Sequence, residues 1–156
     1  MASRPDGLTA YRIADSRFPI YSAAGSLRRP GRWHSGRLPV IYTALSFAGA
    51  MLERLAQTGI NAMPRFTASV VITIPAGSSV EHVEGRDVPG WDRDDKLAGQ
   101  AFGDCWLSER RSAVLIVPSV VARVEKNLLI NPDHSEFAQI TASEPEPVIW
   151  DKRLFS

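Results

Sequence analysis

The stretch PVIYTALSFAGAMLERLAQTG, residues 39–59, changes period part-way along. Its start, PVIYT, is a short apolar and β-branched run that reads as a buried strand. Ser46 then supplies an N-cap signal, and the residues up to about Thr58 fit a helix that Gly59 stops. At about 100° per residue, Phe47, Ala48, Met51, Leu52 and Leu55 share one continuous apolar arc, the face an amphipathic helix turns to a core. Glu53 lands nearly opposite the middle of that arc. Gly49, Ala50 and Gln57 are its neighbours there, with Ala56 nearby, so little bulk bars another segment or a ligand from the carboxylate.

Working outward, GRWHSG (31–36) brackets an arginine, a tryptophan and a histidine between glycines, inside a Gly-, Ser-, Pro- and Arg-rich segment (15–39) that reads as a long loop. Before it, TAYRIA (9–14) makes a strand with Tyr11 and Ile13 on one face and Arg12 on the other. After the helix, FTASVVITI (66–74) alternates cleanly, with Phe66, Ala68, Val70, Ile72 and Ile74 on one face. PAGSS is a turn, and VEHVE a further short strand. From about Asp94 to Ser108, Leu97, Ala98, Ala101, Phe102, Cys105 and Trp106 recur at helical spacing. This predicts a second amphipathic helix with Trp106 and Phe102 in the core and Cys105 buried rather than reactive. AVLIVPSVVARV (113–124) reads as a buried strand interrupted at Pro118 and followed by a second extended piece. NLLI (127–130) and VIWD (148–151) read as short strands, the latter within a C-terminal strand at about 148–155. The alternation of types predicts an α+β fold, a mixed sheet with flanking helices in a single domain over 1–156.

Size and composition agree: 156 residues, 44% hydrophobic and 22% charged, suit one soluble domain. No apolar run approaches the roughly 20 residues of a membrane span, and charges in the first twenty leave no room for a secretory signal, so a cytoplasmic protein is expected. The single Cys105 forms no internal disulfide. Net charge is +1 but uneven: residues 1–37 carry +5 through seven arginines, and the remainder carries −4. An arginine-rich start suits an anionic ligand, or is a solvated basic surface. His34, His82 and His134 lack metal-ligand spacing, so no metal is expected. Ser119 in VPSVV lacks the glycines of a nucleophile elbow, and no Walker or dinucleotide fingerprint occurs.

The order of the pieces is more telling than any one of them. YRI, GRWHSGRLPVIYTALSFAGAMLE, GDCWL, VPSVV and NLLINPDH together resemble the RES-domain family, named for its Arg, Glu and Ser, over most of the chain between Tyr11 and His134. The resemblance implies a toxin of a bacterial toxin–antitoxin pair, an ADP-ribosyltransferase-like fold, and NAD+ as a substrate cleaved between nicotinamide and ribose. It assigns Arg32, Glu53 and Ser119 to the family's three named positions, and Arg12 and Tyr42 to further pocket positions. His34 stands where the family commonly has asparagine, and Leu27 where an aromatic is often found.

Departure of neutral nicotinamide leaves an oxocarbenium-like ribose, which a fixed carboxylate stabilises, the role implied for Glu53. Arg12 and Arg32 would hold the diphosphate, Tyr42 would stack on nicotinamide or orient the ribose, Trp33 would add an aromatic wall, and Ser119 would position the ribose or Glu53. Asn131 joins the implied dinucleotide-binding groups. Blander readings stand beside these: Arg12 in a surface ion pair, Tyr42 and Trp33 in the core, Ser119 at a strand end, and Asn131 with His134 making the NPDH turn. The implied partner is an Xre-like helix-turn-helix antitoxin occluding the pocket, and a protein target is a further candidate, with neither nucleic acid nor membrane contacted directly. Water, phosphate and a protein side chain remain open as acceptors. The alternatives are a nucleic-acid-binding or ribonuclease toxin, which the basic start would serve, and a non-catalytic interaction domain.

Overall fold

In a computed structural model, which describes residues 2–3, 7–59 and 61–155, the 39–59 stretch folds as its two periods require. In chain order the elements are β1 (Ala2–Ser3), β2 (Leu8–Asp15), β3 (Ile41–Ala44), α1 (Phe47–Thr58), β4 (Thr67–Ile74), β5 (Ser79–His82), α2 (Leu97–Glu109), β6 (Val114–Pro118), β7 (Lys126–Ile130), β8 (Thr141–Ala142) and β9 (Glu146–Pro147). The sheet runs β1-β5-β6-β7-β3-β2-β4-β8, with β9 also on β4. Among the described residues only β5 and β6 pair in parallel, so the sheet is mixed and the fold is α+β, as expected.

Register sorts the side chains into two faces. One carries Ala10, Ile41, Val70, Ile72, Val114, Ile116, Leu128 and Ile130, covered by the loop residues Ile20, Tyr21, Phe137 and Ile140. The other carries Tyr42 beside Leu129 and Leu115, then Ala44 beside Asn127 and Val117. Both helices pack on this second face. Trp106 and Leu107 of α2 meet Leu115, Val117 and Leu129, while Ala50, Met51 and Leu55 of α1 meet Ala44 and Ile13. Asn127 therefore shares a sheet face with both helices.

Five expectations change. First, the sheet receives the apolar arc of α1 only in part: Met51 and Leu55 pack on it, but Gly49 and Ala50 are the buried residues, whereas Phe47 is 36% and Leu52 41% exposed. Small residues let the helix backbone approach the sheet, and Glu53, one turn on from Gly49, is drawn inward with them. Second, α2 begins at Leu97 and presses glycines onto the GRWHSG loop. A Cβ on Gly99 would collide with the Arg32 carbonyl, and one on Gly103 with the Trp33 carbonyl. Trp106 is fully buried and Phe102 packs beside it, but Cys105 is exposed because the glycine side, not the cysteine side, faces inward.

Third, the chain does not extend again after Pro118. The Ser119 hydroxyl accepts from Ala122 N–H at 3.1 Å and Glu125 N–H donates to the Ala122 carbonyl at 2.8 Å, giving a turn that returns as β7. Fourth, 148–155 is not a strand. Val148 N–H makes one bond to the Thr67 carbonyl, Trp150 is buried with its Nε1 on Thr67 Oγ1, and Asp151 caps a 3₁₀ turn over Lys152–Leu154. Phe66 also leaves its expected face, since its φ of 53° puts it outside β4. No helix among the described residues is long and apolar enough to cross a membrane.

Candidate active site

Glu53 sits on α1 because Ser46 starts that helix, its hydroxyl accepting from Gly49 N–H at 2.9 Å. The carboxylate is half-buried, and its Oε1 accepts two hydrogen bonds, from Ser119 Oγ at 2.8 Å and Asn127 Nδ2 at 3.0 Å. Both donors converge on one oxygen, leaving Oε2 without a hydrogen-bond partner among the described residues. Ser119 itself is buried, its hydroxyl donating to Glu53 while accepting from Ala122 N–H. The carboxylate is thus fixed from the turn after β6 and from β7, through one of its two oxygens.

Tyr42 lies on the same sheet face as Asn127, one pleat along. Its hydroxyl accepts from Trp33 N–H at 3.1 Å and faces His34 Nδ1 at 2.7 Å. His34 Nε2 is 2.8 Å from the Ser26 carbonyl, an acceptor, so Nε2 carries the proton and Nδ1 accepts, also from Gly31 N–H at 3.1 Å. A side chain on Gly31 would stand 2.5 Å from the Tyr42 hydroxyl. The GRWHSG loop is therefore folded around the Tyr42 hydroxyl, and burial pushes that phenol's pKa above its ordinary value.

Arg32 projects from this loop, with Nη1 donating to the carbonyls of Trp91 at 3.1 Å and Arg93 at 2.9 Å. Arg12 donates from Nε to the Ile20 carbonyl at 2.7 Å and from Nη1 to the Tyr42 carbonyl at 2.9 Å. β2 and β3 pair at Tyr11 and Ala44 alone, so Arg12 supplies the bond that the diverging strands no longer make. Burial first, and the Arg54 charge second, push its pKa down to about 10. Arg54 Nε is itself buried without a hydrogen-bond partner.

A closed circuit of contacts joins these groups. Glu53 bonds Ser119, whose turn sends Arg123 to Asp92 at 2.8 Å; the 91–93 carbonyls hold Arg32, the next residue's N–H holds Tyr42, and the sheet returns through Asn127 to Glu53. Trp33 is not an open wall. It is 2% exposed, stacked on Trp91 at 6.0 Å and edge-on to Phe102 at 6.2 Å. Asn131 stands apart: it is buried, donates to the Leu107 carbonyl at 3.1 Å and accepts from Asp133 N–H at 3.0 Å. Four residues along β7 place it ~13 Å from Asn127. Asn127 and His34 are the groups that sequence reasoning left without a role; the register sets Asn127 on the face opposite the core side chains Leu128 and Ile130.

A concavity of about 340 Å³ opens on the α1 side, lined by Leu52, Leu55, Ala56, Gly59 and Val121, and another of about 360 Å³ by Arg37, Leu38, Asp104, Cys105 and Ser108. Neither is lined by Arg12, Arg32 or Tyr42. Among the described residues no cluster of three or more His, Cys, Asp or Glu side chains is arranged to hold a metal ion.

Comparison with known proteins places this geometry in context. The family model for the RES domain matches residues 9–151. The Prs ADP-ribosylating toxin of Sphingobium sp. is 32% identical over 139 residues, 85% of each chain. The protein named Toxin Res in Pseudomonas putida is 33% identical over 141 residues, 90% of this chain and 96% of that one. Among solved structures, a chain of the M. tuberculosis MbcT–MbcA toxin–antitoxin complex superposes with a TM-score of 0.72 over 98% of this chain and 89% of its own, at 19% identity, which establishes the shared fold.

Proposed function

The chain belongs to the RES domain family, and from that premise we propose that it is the toxin of a toxin–antitoxin pair and that it consumes NAD+ by breaking the bond between nicotinamide and ribose. The observation that carries this reading is the Glu53 carboxylate, held through Oε1 by Ser119 and Asn127 with Oε2 unengaged. As the C–N bond breaks, its electron pair leaves with neutral nicotinamide and positive charge grows on the ribose carbon and ring oxygen. A carboxylate already oriented by two donors stabilises that charge without reorganising. An acceptor oxygen then bonds to the ribose carbon and its proton passes to solvent or a base.

Arg32 keeps Nε and Nη2 for a diphosphate, while Nη1 is committed to carbonyls; Arg12 has given two of its three nitrogens to carbonyls and offers only Nη2. Arg32 is therefore the principal phosphate contact in this reading and Arg12 the secondary one. Trp33 shapes the loop from inside the core, and Tyr42 presents ring and not hydroxyl, the latter being engaged. The partner is an antitoxin, of the Xre-like helix-turn-helix kind, that covers this face. The acceptor is a protein side chain, as the name of the Sphingobium relative suggests, or water or phosphate.

Incubating the purified protein with NAD+, with and without phosphate and a cell extract, tests this. Release of nicotinamide matching NAD+ loss is expected, with labelled protein, ADP-ribose or its phosphorylated form naming the acceptor. Unchanged NAD+ under all conditions, from folded protein, would overturn the reading.

A further inference from the structure

Glu125 ends the turn between β6 and β7, and its contacts run to Ser119 and to the N-cap of the helix that carries Glu53. Its carbonyl accepts from Ser119 N–H at 3.1 Å. Its carboxylate Oε1 accepts the hydroxyl proton of Ser46, the N-cap of α1, and that same hydroxyl accepts from Gly49 N–H at 2.9 Å. Glu53 follows Gly49 by four residues, one helical turn. Gly49 lets this happen: a Cβ there would lie 2.9 Å from the Ser46 hydroxyl and 3.3 Å from Glu125 Oε1.

We propose that Glu125 is a positioning residue, which fixes the Ser119 turn against the first turn of α1 and so sets the separation of Glu53 and Ser119. The four sides of the arrangement are Glu125 to Ser119 through the backbone, Glu125 to Ser46 through the side chain, Ser46 to Glu53 along about two turns of helix, and Glu53 back to Ser119. Two sides are ordered backbone, the Ser119–Glu125 bond across the turn and the α1 stretch from Ser46 to Glu53, and the Glu125–Ser46 side-chain bond ties them together opposite Glu53–Ser119. The Glu125 side chain is the link in this frame that crosses from the turn to the N-cap of α1. A carboxylate suits the position because it also faces the positive end of the helix. No tie of comparable reach follows from the sequence, since Ser46 and Glu125 are 79 residues apart.

The activity arm of the test rests on the NAD+ reading; the structural arm does not. In E125A, kcat for nicotinamide release should fall about tenfold to a hundredfold with KM little changed, as expected of a misplaced rather than missing group. E125Q keeps an oxygen for the Ser46 hydroxyl and should recover most of the loss. Combined with S119A, E125A should add no more than about twofold, because both act through one contact. Amide exchange at Gly49 should quicken in E125A while the sheet stays protected. A folded E125A with unaltered kcat, effects of E125A and S119A that multiply, or exchange at Gly49 equal to that of the parent would each overturn the proposal. If the parent releases no nicotinamide, the NAD+ reading fails, and the exchange arm still decides the role of Glu125.

Discussion

Ser119 Oγ and Glu53 Oε1 stand 2.8 Å apart although 66 residues separate them in the chain. A helix and a strand-end turn thus share one hydrogen bond, with Asn127 donating to the same oxygen from the neighbouring strand. Removing the charge by E53Q should abolish nicotinamide release and growth arrest. The fold should persist, because the amide oxygen still accepts from Ser119 and Asn127. N127A and S119A each remove one of two donors, and a drop in kcat of about tenfold to a thousandfold is expected for either. Steady-state kinetics checks this: a normal kcat in N127A would show that one donor suffices.

Gly103 and the Trp33 carbonyl meet so closely that no side chain fits between them. G103A must push α2 off the GRWHSG loop, and a loss of about 2–4 kcal/mol in stability is expected. G25A is the matched control, since a Cβ at Gly25 meets nothing within 4 Å and its backbone φ is not positive. Thermal unfolding of the two variants should differ by well over the scatter of repeat scans.

These two relationships show why the sequence carried the elements further than the site. Ser46 and Gly59 bound α1 through local hydrogen bonding and local φ, so a local reading finds both ends. The alternation of Ala68, Val70, Ile72 and Ile74 is likewise local and marks β4. Which side of α1 faces inward is decided elsewhere, by the 119–125 turn and by how closely Gly49 lets it approach. A wheel that ranks residues by apolar bulk therefore grouped Phe47 and Leu52 with Met51 and Leu55, but only the latter two pack inward, beside the small Gly49 and Ala50. Arg32 reads as a free guanidinium in sequence; its bonds to the Trp91 and Arg93 carbonyls depend on a loop 59 to 61 residues away. Glu53, Ser119, Tyr42 and Arg12 came from a family pattern and from face assignments, not from any local signal of chemistry.

Glu136 provides a handle on acid stability. Its Oε1 accepts from Ser79 N–H at 2.8 Å and Ser79 Oγ at 2.9 Å, and the backbone bond above all holds its pKa below the usual 4.5. A carboxylate depressed by folding contributes stability above its unfolded pKa and loses it as pH falls through the folded one. The contribution is therefore complete at neutral pH and fades below about pH 4.5. E136Q should lower the urea midpoint at neutral pH and flatten its decline in acid. A parallel decline in parent and variant would assign the acid limb to other carboxylates.

Tyr42 is the alkaline counterpart. Burial holds its phenol above the ordinary value of 10.0, so folding favours the neutral form. That stabilisation is present below the unfolded pKa and is lost as pH rises through the folded one, with the window opening above about pH 10. Y42F leaves the ring in place but strips the acceptor from Trp33 N–H and one donor from His34 Nδ1. A cost of about 1–3 kcal/mol follows from the unpaired buried N–H. The variant's stability should also fall less steeply above pH 10 than the parent's. The same loss frees the GRWHSG loop that carries Arg32, so KM for NAD+ should rise more than kcat falls. H34N supplies the check. Asparagine is too short to span from Gly31 N–H to the Ser26 carbonyl, and if the loop's closure governs affinity, H34N and Y42F should shift KM together without multiplying.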